Sequence, residues 1–192
     1  NEALPQINVD QVYSEYGLTG KDIHIAVLDT GIDTDHADLS DSVESQVCFA
    51  DFCPNGADNA EDDNGHGTHV SGIITSAGVS SSVGVARNTR IHAIKVLDSS
   101  NGFSSSSIII EALDHIINNL PQVNLVNMSL GTFDRFESFC DQQNIYTRAF
   151  ATAINTLRDR GTLSFVASMN NASSNSISAP ACISNAISVG AV

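Results

Sequence analysis

The sequence predicts an α/β domain built on a doubly wound, mostly parallel sheet with helices on both faces, incomplete at its carboxyl end. Three observations predict it. Apolar runs of strand length recur at 21–28, 90–97, 123–130, 162–169 and 185–192. Segments with helical spacing of apolar residues lie between them. The runs are nearly continuous, as expected of strands covered on both sides. Strands alternating with helices imply parallel pairing through right-handed crossovers. With 192 residues, the chain is long enough for one sizeable domain.

Each element has its own signal. The run Lys21-Asp22-Ile23-His24-Ile25-Ala26-Val27-Leu28 closes on Asp29 and the turn Thr30-Gly31. A helix over 66–77 begins at His66, with Val70, Ile73, Ile74 and Ala77 expected against the sheet. After the strand at 90–97, the serines of 104–107 offer helix caps, and Ile108, Ile109, Ala112, Ile116 and Ile117 form a stripe ended by Pro121. In 145–160, Tyr146, Ala149, Phe150, Ala153, Ile154 and Leu157 share a face, and Gly161 stops the helix. The polar stretch 171–179 reads as a surface loop, as does 132–144 with Asp134, Glu137 and Asp141. Those acids suit basic substrate side chains.

Bulk properties narrow the function. The net charge is −14, from 22 acids against 8 basic residues, which argues against nucleic acid. No apolar run approaches the ~20 residues of a membrane-spanning helix. The start, Asn-Glu-Ala-Leu-Pro, has neither a basic nor an apolar leader region and reads as a processed end. Cys48 and Cys53 bracket four residues and suit a local disulfide, which leaves Cys140 with Cys182. Three pairings of four cysteines remain open. An even count in an acidic chain points to an oxidising, extracellular setting.

Ligands of open α/β sheets collect beyond the carboxyl ends of the strands. That rule selects Asp29, Ser129-Leu130-Gly131, Asn170-Asn171 and His66 at the start of its helix. A buried carboxylate that accepts from one imidazole nitrogen fixes the tautomer and stabilises the imidazolium. Asp29 is equally suited to an ordinary turn cap. His66 and His69 resemble half of a zinc site, but no His-Glu-x-x-His occurs and no third ligand presents itself. His69 is expected to point toward the sheet and to bond within the core.

The blocks Asp-Thr-Gly-Ile-Asp (29–33), Asn-Gly-His-Gly-Thr-His-Val-Ser-Gly (64–72) and Asn-Met-Ser-Leu-Gly (127–131) resemble the subtilisin-like serine proteases. So do 165–171 and 179–192, in the family's order. The resemblance implies a catalytic domain over 1–192 that lacks its serine-bearing carboxyl-terminal segment. It implies Asp29 as orienter, His66 as general base and Asn171 as oxyanion donor, although Asn170 stands where the family usually has Gly. Ser129, Leu130 and Gly131 would line the primary specificity pocket. Asn101 and Gly102 would form the other substrate edge, with Phe103 beside them as pocket or core. Ala179–Pro180 becomes a candidate cis bond. The family's Gly-Thr-Ser is absent from this sequence. A companion segment or chain carrying it is therefore expected, with a catalytically silent peptide-binding module as the rival. Polypeptides are the implied substrates. No cofactor is implied for catalysis, while structural Ca²⁺ is a family trait for which Asp51, Asp58 and Asp62 are candidates.

Overall fold

The computed structural model describes residues 3–190. Two short helices, α1 (Ala3–Gln6) and α2 (Val9–Tyr16), precede the sheet. The strands are β1 (His24–Asp29), β2 (Val43–Cys48), β3 (Arg90–Lys95), β4 (Leu125–Met128), β5 (Arg135–Phe136), β6 (Leu163–Ala167), β7 (Ile177–Ser178) and β8 (Ile187–Val189). Three longer helices alternate with them: α3 (His66–Thr75), α4 (Ser106–Asn119) and α5 (Ile145–Asp159). Six strands pair in parallel in the order β2-β3-β1-β4-β6-β8, and β5 and β7 form a small antiparallel ribbon. The expected doubly wound fold is the observed one.

Alternation along the strands distributes the core. Ala26, Leu28, Ile94, Val126, Met128 and Val166 join the larger cluster with α4 and α5. Ile25, Val27, Ile91 and Ala93 join the smaller cluster, against which Val70 and Ile74 of α3 pack. By the same period of two, Asp29 and Lys95 fall on the α3 side, and they are register partners. α4 is capped by Ser105, whose side chain accepts from the Ser107 N–H. α5 opens with a reciprocal capping box between Asn144 and Thr147 and ends before Gly161 at φ +88°.

Several expectations need correcting. β2 was not legible, because Val-Glu-Ser-Gln-Val-Cys has no continuous apolar run; it is an edge strand. α3 ends at Thr75, and its buried face is Gly67, Ser71 and Thr75. Ile73 is 55% exposed and Ala77 lies beyond the helix, also exposed. Small residues face the sheet because the helix starts too close to β1 for larger ones. Leu113 joins the α4 stripe, with Ile117 only partly buried. The loops 132–144 and 171–179 contain β5 and β7. The expected strand at 185–192 is shorter, and residues 191 and 192 lie outside the described residues.

α3 covers only part of its side. Ile25, Ile73, Leu125, Phe165, Ala167 and Val189 line an apolar groove of about 580 Å³ over β4, β6 and β8. Ala179–Pro180 is cis. The disulfides pair Cys48 with Cys53 and Cys140 with Cys182, at separations of 5 and 42 residues. Loop-closure entropy favours the longer link, about 4 kcal/mol against about 2 kcal/mol. Urea unfolding should therefore show a larger loss for Cys140→Ser/Cys182→Ser than for Cys48→Ser/Cys53→Ser.

Candidate active site

The site forms where β1 ends against the start of α3. A Cβ on Gly67 would lie 2.1 Å from the Gly31 carbonyl oxygen and 3.1 Å from Asp29 Oδ1. Gly31, at φ +114°, would place a Cβ 2.3 Å from the Ala60 carbonyl. Backbone cannot yield as a flexible side chain can, so both positions require glycine. Thr30 joins the two elements: its hydroxyl accepts from the Gly67 N–H at 2.9 Å and donates to Asp62 Oδ1 at 2.9 Å.

Across this junction His66 Nδ1 meets Asp29 Oδ1 at 2.6 Å. The same oxygen accepts from the Thr30 N–H at 2.7 Å. Asp29 is fully buried, and its Oδ2 has no hydrogen-bond partner among the described residues. Burial pushes its carboxyl above the ordinary value, while the His66 and Thr30 hydrogen bonds pull the other way. Because a carboxylate only accepts, Nδ1 carries the proton and Nε2 holds the lone pair. The His66 side chain is 34% exposed, and no hydrogen bond reaches Nε2 among the described residues. The arrangement is chemically a base with its orienter behind it.

The entry to α3 is tied by Asp62. Its Oδ1 accepts from the Asn64 and Gly65 N–H groups, and its Oδ2 from the Thr68 N–H and hydroxyl. Burial alone would raise Asp62, but these bonds outweigh it and hold the carboxyl at about 2. Asn64 Oδ1 accepts from the His66 N–H, and its amide donates to the Ser99 carbonyl. Asp62 is thus a helix cap, and Asp51 accepts from the Ser104 N–H and hydroxyl. With Asp58 they do not converge: no group of three or more metal-competent side chains occurs among the described residues. These three do not fit a Ca²⁺ site.

The other expected residues are placed as follows. His69 does not enter the core; it is exposed beside a cleft that it shares with His36 and Asp38, because α3 turns its Gly67–Ser71–Thr75 face inward. Asn171 follows β6 on the same carboxyl rim as Asp29, two strands across. It is exposed, and its amide lies 3.5 Å from Ser178 Oγ. No hydrogen bond joins it to His66 among the described residues. Asn170 is not left-handed; Met169 and Ala172 are, at φ +72° and +50°. Leu130 is buried, Ser129 Oγ accepts from Asn127, and Gly131 packs against Met169 and Ser178. Asn101 (φ +61°) and Gly102 sit in a tight turn capped by Asp98, while Phe103 packs on the larger core. Sequence reading missed Thr30, Asp63 and Lys95. The available signal was a lysine inside a strand apolar on both faces.

A doubly wound sheet that presents a buried carboxylate to an imidazole with one free nitrogen has the layout of the triad hydrolases. The chain belongs to the subtilase family, whose model, described as "Subtilase family", matches residues 20–192. It is 39% identical over 176 residues to Subtilisin Savinase of Lederbergia lenta, covering 91% of this chain and 57% of that protein. It is 34% identical over 189 residues to the Minor extracellular protease Epr of Bacillus subtilis, covering 98% and 26%. The solved structure of Sphericase superposes with a TM-score of 0.74 at 31% identity, over 94% of this chain and 58% of that one. The chain thus spans less than two thirds of each relative's length.

Gly67→Ala should destabilise the protein by about 1–3 kcal/mol in chemical denaturation, the usual range for overpacking. Asp62 makes an acid-dependent contribution. Its folded carboxyl lies at about 2 against an ordinary 3.8, so its stabilisation is complete above about pH 5 and is lost as pH falls through the folded value. Asp62→Asn should lower the thermal midpoint at neutral pH, with the gap to wild type narrowing across that window.

Proposed function

We propose that the chain supplies the base, orienter and oxyanion donor of a subtilisin-like serine endopeptidase, with the nucleophilic serine on a segment outside this sequence. The 2.6 Å contact of Asp29 with His66, with Nε2 left unbonded, carries this reading. In the first step the serine hydroxyl gives its proton to His66 Nε2 while its oxygen bonds to the scissile carbonyl carbon. Asp29 holds the Nδ1 proton and stabilises the imidazolium. The Asn171 amide donates to the oxyanion, a contribution of roughly 3–4 kcal/mol for such donors. His66 then protonates the leaving amine as the C–N bond breaks, and a water repeats the sequence to release the acyl group.

An extended polypeptide would pair with the backbone at Ser129, Leu130 and Gly131 on one side and at Asn101 and Gly102 on the other. The serine-bearing segment would cover the apolar groove over β4, β6 and β8. The chemistry asks for no cofactor. Two disulfides and the likeness to the Minor extracellular protease Epr support an extracellular setting.

A serine-directed phosphonate should label the protein only when the downstream segment carrying Gly-Thr-Ser is present. His66→Ala should then lower kcat by roughly 10⁶-fold, the scale seen when either member of a Ser–His unit is removed. Peptide binding without turnover in that longer protein would favour the silent binding module instead.

A further inference from the structure

Lys95 closes β3 and is fully buried, though lysine is among the side chains least often found there. Its Nζ donates to the Thr30 carbonyl at 2.5 Å and to Asp63 Oδ1 at 2.6 Å. A well-packed apolar side chain would fill the same space without desolvating a charge, so packing alone does not call for lysine. What distinguishes the position is the identity of its two partners.

Thr30 is the node of the site. Its N–H holds Asp29 Oδ1, its hydroxyl receives the Gly67 N–H, and its carbonyl receives Lys95. Asp63 lies in the turn that leads into α3, between the cap Asp62 and Asn64, which positions the His66 N–H. One ammonium group therefore grips the strand end that carries the carboxylate and the turn that delivers the imidazole. Strand register makes this reach available, since Lys95 sits directly beside Asp29 on the same face of the sheet. We propose that the Lys95–Asp63 ion pair is the positioning element of the Asp29–His66 unit, fixing the separation between strand end and helix entry. This rests on the catalytic reading of Asp29 and His66 given above.

The test is proton NMR on the intact protein, observing the strongly deshielded Nδ1 proton of an imidazole bonded to a carboxylate. Wild type should show this resonance and His66→Gln should remove it. Its absence from wild type would overturn the catalytic reading and this one together. Lys95→Met and Asp63→Ala should each broaden or abolish the signal while the amide spectrum stays native. The double variant should be no worse than Lys95→Met, because the two side chains act as one pair. In the serine-bearing protein both variants should lower kcat on the order of 10²-fold with little change in KM, as expected of misplaced reacting groups. Retention of the resonance and of kcat in both single variants would reduce the pair to a structural ion pair and leave the Asp29–His66 reading intact. Should Lys95→Met fail to fold, Asp63→Ala decides alone, since its side chain is 30% exposed and its removal leaves the core packing in place.

Discussion

The approach of α3 to the end of β1 governs the rest of the molecule. A helix start can come within hydrogen-bonding range of a strand end only if neither carries side-chain bulk at the contact. Gly67 and Gly31 meet that condition. Once the backbones are that close, a side chain as short as aspartate can touch an imidazole on the helix, and a threonine hydroxyl can link both elements. The small buried face of α3 continues the theme, with Ser71 and Thr75 lying where larger residues would lift the helix away. Tight placement is the cause, and the carboxylate–imidazole contact is its result.

The architecture was legible because each buried strand announced itself. β1 and β3 are buried on both faces over most of their length, whereas β4 and β6 bury alternate residues fully and keep apolar residues on the face that borders the groove. β2 escaped notice because an edge strand can alternate polar and apolar residues. Asp29 and His66 were found from the rule that ligands gather at carboxyl rims, together with a family resemblance. His69 was misplaced because helical periodicity gives relative angles but not which face turns inward. Val70 and Ile74 do pack toward the sheet, but crowding at Gly67 turns Gly67, Ser71 and Thr75 innermost and leaves Ile73 exposed. Asp62 was a candidate cation ligand because an acidic loop shows its charge in sequence but not its donors. Four bonds from its own turn make it a cap.

The two sides of the sheet are unequal. α4 and α5 bury one side across its centre with Ile109, Leu113, Ile116, Phe150 and Ile154, all essentially inaccessible. On the other side α3 packs against β1 and leaves Phe165 and Val189 facing an open groove. His66 is partly exposed at the start of α3, while Asp29 is fully buried at the end of β1. The groove over β4, β6 and β8 is thus an apolar surface fit to receive another packing element.

The Cys140–Cys182 link has its effect some distance from the base. Cys182 N–H bonds back to the Ser178 carbonyl, Thr132 N–H bonds to the Ala179 carbonyl, and Gly131 packs on Ser178. The crosslink therefore braces the wall that would face a substrate side chain, whereas the Asp29–His66 junction is held by glycines, Thr30 and Lys95 without help from sulfur. Reduction of this link would loosen the segment around Ser178 and Ala179 while leaving the contacts that hold Asp29 against His66 in place.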